Sequence, residues 1–380
     1  MTKFEKTLAK LQQIRAELDA AFYERGDEIA SLLTAILARE HVLLLGPPGT
    51  AKSAIAREVC NAIDGAPFFE WLLTKFSTPE ELFGPVSFKG MENDEYRRIT
   101  RDKMPEAQIA FLDEIFKANS AILNALLALV NERRFHNNGH PVNCPLISVV
   151  GASNELPDKD AEGLEALFDR FMLRHWTSYI SDRDNMKRLL LTSAEPSIST
   201  SLTQTELAAL QTAVEKVKIS DDVLEAILTI KSELEAVGIS ASDRRWKRAV
   251  KLVKAHALLN GHDEVEEDDL LILQHALWRE PDQRTMTREK VGSVASPVTA
   301  EALAILDAAK EAHGELLKQE GTPDFIVASV EVRATLKEMR ERLHRRIEES
   351  GGKARRAEKV MQQIKAFQTD VKRRADRALD

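Results

Sequence analysis

The chain has 380 residues, of which 43% are hydrophobic and 30% charged, with few aromatics and a formal net charge of −8. This length allows two or three domains with a sizeable core, and the acidic balance argues against a general nucleic-acid binder. Cys60 and Cys144 stand isolated, no apolar run approaches the roughly 18 residues of a membrane span, and the N-terminus lacks a signal-peptide core, so a soluble, cytoplasmic protein with reduced cysteines is expected.

Phe4, Leu8, Leu11, Ile14 and Leu18 form a helical stripe over 4–22, and Ile29, Leu32, Leu33 and Ile36 predict a second helix over 27–39. The apolar run from His41 to Leu45 then meets Gly46-Pro47-Pro48-Gly49-Thr50-Ala51-Lys52-Ser53 and a helical segment, Ala54 to Val59. Strand, glycine loop and helix N-terminus in that order make a phosphate cradle, because free backbone N–H groups and the helix dipole both favour an anion. Lys52 suits the β- and γ-phosphates of ATP, and Ser53 suits Mg²⁺. Pro47 and Pro48 have no N–H to donate, so the amides of residues 49–53 carry the cradle. Gly46, Gly49, Thr50, Ala51, Lys52, Ser53 and Ala54 are therefore the candidate nucleotide contacts. Ala51 stands where such loops usually carry glycine, and a φ below zero at the helix start is expected there.

Further short apolar runs follow at 68–73, 108–112 and 146–150, with a weaker one at 172–176. Strands alternating with helices predict a parallel sheet covered on both faces, which binds ligands beyond the carboxyl ends of its strands. The second of these runs ends in Asp113-Glu114: Asp113 suits a contact to Mg²⁺, and Glu114 suits the base that polarises an attacking water. The third leads to Asn154, placed for the γ-phosphate or that water. Arg170, in Leu167-Phe168-Asp169-Arg170-Phe171, can salt-bridge locally or project into a neighbouring subunit's nucleotide. Arg244 or Arg245, in a helix that Ser242 can cap, can reach back to the phosphates.

After residue 180, segments 203–217, 220–237, 243–260 and 266–278 read as helices with no strand candidate between them, and the polar stretch 280–297 reads as a linker. The tail carries three helical seams, within 299–319, from Val332 to Ile347 and from Val360 to Ala375. The last two are separated by Gly351-Gly352, which predicts an antiparallel hairpin with the 299–319 helix as a third member. Residues 324–380 hold 15 Lys/Arg against 10 Asp/Glu, a charge pattern that suits a solvated face or the docking of a protein partner. The expected division is 1–180 for the α/β nucleotide-binding domain with its N-terminal helix, 181–280 for a small all-α lid and 298–380 for a helical extension.

P-loop, Asp-Glu strand, Asn-bearing strand, Asp-Arg-Phe segment and helical lid in this order resemble an AAA+ ATPase of the MoxR family. The segments 46–53, 76–85, 111–117, 122–127, 131–133, 152–157 and 242–247 are especially similar to its RavA branch. The resemblance implies ATP and Mg²⁺ as cofactors and a hexameric ring with nucleotide between subunits. It implies Lys52, Ser53, Asp113 and Glu114 as Walker residues, Asn154 as sensor 1, Arg170 as arginine finger and Arg244 as sensor 2, with Arg174 and Arg245 as rivals to the last two. It also implies hairpin insertions at 86–99, with Gly90 suited to the tip, and at 135–142, a von Willebrand factor A domain partner, and a chaperone-like remodelling role. The β-rich domain that RavA relatives carry near the C-terminus has no counterpart after residue 297. Two other function classes fit the residues less well: a nucleotide-gated scaffold with slow turnover, which the intact acidic pair disfavours, and a nucleic-acid motor, which the net acidity disfavours.

Overall fold

A computed structural model describes residues 2–157, 163–193, 196–322, 324–349 and 355–379. Thr2 and Glu5 form a capping box at the start of α1 (Lys3–Ala21), which buries Leu11, Ile14 and Leu18. Helix α2 (Gly26–Ala38) is buried without a break from Glu28 onward. The chain continues through β1 (Val42–Leu45), α3 (Lys52–Asn61), β2 (Ile63–Asp64), β3 (Phe68–Leu72), α4 (Pro79–Phe83), α5 (Phe88–Met91), β4 (Ile109–Asp113) and α6 (Ser120–Glu132). The β5 (Arg134–Asn137) and β6 (His140–Asn143) hairpin, β7 (Ser148–Ser153), α7 (Leu164–Arg170) and β8 (Leu173–Trp176) complete the α/β layer.

Five strands form one parallel sheet in the order β3-β4-β7-β1-β8. Because helices cover both faces, β1 and β7 are buried at every position and need no polar alternation. All carboxyl ends point to one edge, so the loops after β1, β4 and β7 meet there.

The remaining elements are α8 (Arg183–Leu191), β9 (Leu202–Thr203), α9 (Gln204–Lys216), α10 (Asp221–Ala236), α11 (Asp243–Asn260), a 3-10 segment Glu267–His275, α12 (Gln283–Ala295), α13 (Pro297–Lys318), α14 (Phe325–Glu349) and α15 (Arg355–Leu379). Two compact units result. One comprises residues 1–220, 241–266 and 275–277, with α9 and α11 packed around α2; the other comprises 221–240, 267–274 and 278–380, with α10, α12 and the three C-terminal helices. Among the described residues no helix is long and apolar enough to cross a membrane.

Several expectations change. The 280–297 stretch is not a linker but α12, followed directly by α13: Thr287, Val291 and Ala295 are buried at four-residue spacing, a seam hidden by the polar residues around it. β9 pairs with β2 over two residues, too short a run to show periodicity. The 86–99 insertion pairs at its base, Val86 with Arg98, but Gly90 is not its tip. Ser87 caps the short α5 by accepting from the Gly90 N–H at 3.2 Å, and a Cβ on Gly90 would meet the Glu95 carbonyl at 2.9 Å. The 135–142 insertion is a two-residue hairpin with Asn138 and Gly139 both left-handed, as such turns require. The Gly351-Gly352 turn lies outside the described residues.

Cys60 and Cys144 are free and buried, and burial pushes their thiols up to about 12 and about 11, which leaves both unreactive near neutrality. His41, just before β1, accepts from the Val149 N–H through Nδ1 and donates through Nε2 to the Val130 carbonyl. Burial, with the Arg133 charge second, pulls its pKa down to about 3. A histidine neutral in the fold but protonated when unfolded stabilises fully above pH ~6.5, and that stability drains away as pH falls toward 3. The expected loss is about 3 kcal/mol by pH 4. Urea melts from pH 4 to 7 check this: His41→Gln should flatten the slope below pH 6.5 that the wild type shows.

Candidate nucleotide-binding site

The loop after β1 is held tightly by its own chain. Gly46 has φ +135, and a Cβ there would lie 2.1 Å from the Thr177 carbonyl, so β8's exit strand packs where only glycine fits. Gly49 is left-handed at φ +77. Ala51, contrary to the sequence expectation, is also left-handed at φ +66 and serves as the N-cap of α3. The loop needs a left-handed residue here, whichever residue supplies it, and alanine bears a cost of about 1 kcal/mol. Ala51→Gly should therefore raise stability by roughly that amount, read as a shift in the urea midpoint. An unchanged or lower midpoint would contradict the strain.

The amides of residues 49–53 precede or open α3, where no intrahelical carbonyl can take them. Lys52 Nζ donates to the Gly46 and Pro47 carbonyls at 2.8 and 2.9 Å and lies 3.4 Å from Asn154 Oδ1. Burial lowers its pKa, while Asp113 and Glu114 oppose that shift. Asn154 Nδ2 in turn donates to Glu114 Oε1 at 2.6 Å. One amide thus joins the P-loop lysine to the strand-ending glutamate. Glu114 is itself left-handed, at φ +51, and its N–H bonds Asp113 Oδ1 at 2.9 Å. That turn at the end of β4 aims its carboxylate back across the sheet edge toward Asn154.

Two residues given no role from the sequence belong to this edge. Lys117 lies 3.3 Å from Glu114, one 3-10 turn along; its i+3 spacing was the signal. Arg25 is buried and braces the loop, donating to the Thr50 carbonyl at 3.2 Å and the Ser178 carbonyl at 2.6 Å. Nothing local in the sequence marks it, because its partners lie 25 and 153 residues away.

The arginines gather at the other edge. Helix α6 starts beyond the carboxyl end of β4 and runs 13 residues, about 18 Å, back down the sheet. Its last turn carries Asn131, and the next residue but one, Arg133, bonds the carbonyls of Arg39 and Leu146, just ahead of β1 and β7. Arg244 donates to Asn131 Oδ1 at 2.6 Å, and Arg170 ends α7 just before β8. Arg244 is thus placed beside Arg170, at the sheet edge opposite the P-loop. Burial, with the Arg244 charge second, lowers the Arg170 pKa. Arg170 Nε is buried without a hydrogen-bond partner among the described residues, and Asp169 stands 3.9 Å from its Nη1.

The two rivals are structural. Arg174 is fully buried, bonded to the Phe168 and Phe171 carbonyls and stacked 4.0 Å over the Phe168 ring. Arg245 is 4% exposed and donates to the carbonyls of Asp169, Phe171, Met172 and Ala276.

The P-loop edge fits a nucleoside triphosphate by its donors: amides at a helix start, a buried lysine, and glycine where the backbone must approach closely. Ser53 at the start of α3 and Asp113 at the end of β4 are the oxygens that would hold Mg²⁺. The described residues contain no cluster of three or more His, Cys, Asp or Glu able to hold a metal alone.

Residues 9–218 match the family model described as the MoxR domain in the MoxR-vWA-beta-propeller ternary systems, and residues 222–291 match an AAA lid domain. The chain is 45% identical over 274 residues to the uncharacterized protein MJ0812 of Methanocaldococcus jannaschii, covering 72% of each chain. It is 41% identical over 308 residues to MJ0079 of the same organism, covering 81% of this chain and 80% of that one. A crystal structure of a candidate ATPase from Cytophaga hutchinsonii superposes with a TM-score of 0.61 at 19% identity, over 77% of this chain and 95% of the other, which is a likeness of fold.

Proposed function

The chain belongs to the MoxR family of AAA+ ATPases, and on that premise we propose that it hydrolyses MgATP at sites completed between subunits of a ring and uses the cycle to remodel a protein complex. The observation that carries this reading is the split of the machinery between the two sheet edges. Lys52, Asn154 and Glu114 share one edge, whereas Arg170 and Arg244 share the other.

At the P-loop edge the amides of 49–53 and Lys52 bind the phosphates. Ser53 and Asp113 hold Mg²⁺, which supplies charge neutralisation of the phosphate oxygens. Glu114, set at hydrogen-bond distance from Asn154, takes up the role of orienting and polarising the attacking water. Arg25 at this edge is committed to the Thr50 and Ser178 carbonyls, and a neighbour turned head to tail presents Arg170 and Arg244 to the charge that develops. A hexamer closes such a contact. The motif segments that resemble the RavA branch and the vWA system named in the matching family model both support a von Willebrand factor A domain protein as partner. Residues 181–280 act as the lid in this reading.

Phosphate release from MgATP by the wild type beside Glu114→Gln tests the proposal. Turnover that survives the substitution overturns it.

A further inference from the structure

In the C-terminal bundle α13 packs against both α14 and α15, around a core that includes Leu306, Ala309, Leu336, Leu343 and Ile364. On the flank that faces α13, acids and bases pair. Glu301 accepts from Arg342 and Arg346 at 2.8 and 2.9 Å, and Asp370 meets His313 and Arg374 at 3.1 and 2.7 Å.

The opposite flank of the α14–α15 hairpin is different. It is an open groove, about 700 Å³ in one stretch and about 440 Å³ in the next, continuous through Arg340 and Lys365. Arg333, Lys337, Arg340, Lys365 and Lys372 line it. Among the described residues Glu341 is the one acid on its walls, 3.8 Å from Lys337. Arg333, Lys365 and Lys372 have no carboxylate partner among the described residues. The walls also carry apolar Val330, Ala334 and Met361, and Val330 is 63% exposed. From Val330 to His344 the groove follows one face of α14 for roughly 21 Å, the length of about four helical turns.

We propose that this groove docks an acidic amphipathic helix of a partner protein. Its apolar stripe lies over Val330, Ala334 and Met361, and its carboxylates face the five cations, as a fourth helix completing the bundle. Charge complementarity selects an acidic occupant, since five cations crowd one groove, while Glu301 and Asp370 are taken up by bases on the other flank. A nucleic acid is the poorer fit: among the described residues no Phe, Tyr or Trp lines the groove to stack bases, and the chain as a whole carries −8.

The test uses the full chain and a labelled synthetic helix of about 18 residues, leucine at a and d positions and glutamate elsewhere, followed by fluorescence anisotropy. Expected is binding at least tenfold tighter than to a peptide of equal composition with its leucines scattered around the helix. Lys365→Glu with Lys372→Glu should weaken it at least tenfold, whereas Lys310→Glu on α13 should not. Circular dichroism confirms that each variant keeps its helix content. Equal binding of the scattered peptide overturns the proposal in favour of plain polyanion attraction. Tighter binding of duplex DNA overturns it in favour of a nucleic-acid face. A double variant that changes oligomeric state while binding the peptide as wild type assigns the groove to a second copy of the chain. Lys52→Ala should bind the peptide unchanged, which keeps this result separate from the fate of the ATPase reading.

Discussion

Glu114→Gln is expected to bind MgATP within a few-fold of the wild-type affinity and to turn it over at least 10²-fold more slowly, the scale on which a positioned general base contributes, about 10²–10⁴. The two halves of that expectation have separate structural causes. Binding rests on the amides of 49–53, on Lys52 and on Ser53, none of which contacts the Glu114 side chain. Its carboxylate touches Asn154 at 2.6 Å and Lys117 at 3.3 Å. Glutamine keeps the shape and can still accept from Asn154, so the fold at the end of β4 is retained while the basic oxygen is lost. Fluorescent-nucleotide titration and phosphate release on the same preparation read both halves. Loss of binding together with turnover would move Glu114 into phosphate or metal binding instead.

Arg170→Ala should cost about 10³–10⁵ in turnover, the contribution of an arginine supplied to a neighbour's transferring phosphoryl group. Its own P-loop stays intact, so nucleotide affinity should barely change. Mixing it with Lys52→Ala subunits should restore activity: about a quarter of the contacts in a randomly mixed head-to-tail ring join an intact P-loop to an intact Arg170. Silent mixed rings, with mixing shown by native mass spectrometry, would place the arginine's role within its own subunit. Arg174→Ala gives no such answer, because its guanidinium satisfies the Phe168 and Phe171 carbonyls in the core. Removing it empties a fully buried site against the Phe168 ring and destabilises the fold by a few kcal/mol.

The candidate nucleotide site was legible because its parts are local. A glycine loop between an apolar strand and a helix, and a strand ending in two acids, are continuous in sequence and carry their chemistry in a few residues. Ala51 marks where local reading stops. Its left-handed backbone lies at the turn from the loop into α3, and a sequence containing alanine gives no sign of it. The 280–297 segment was misread for the complementary reason, since its buried seam is made of small and polar residues whose role appears only against neighbouring helices. Arg170, Arg174, Arg244 and Arg245 form the sharpest case. As letters they are equivalent basic residues near turns, yet two are consumed by backbone carbonyls and two stand together at the sheet edge.

By itself, then, the sequence determined the parallel α/β layer, the P-loop, the acidic pair, Asn154 and the helical extension, because periodicity and short-range motifs encode elements and their termini. The tertiary structure alone decided which edge each charged group occupies, that Arg244 stands beside Arg170, how Arg25 braces the loop from far away, and that one flank of the C-terminal hairpin is left basic and open. Those outcomes depend on which helices cover which faces, and packing sums contacts between residues too distant in the chain for any local pattern to record.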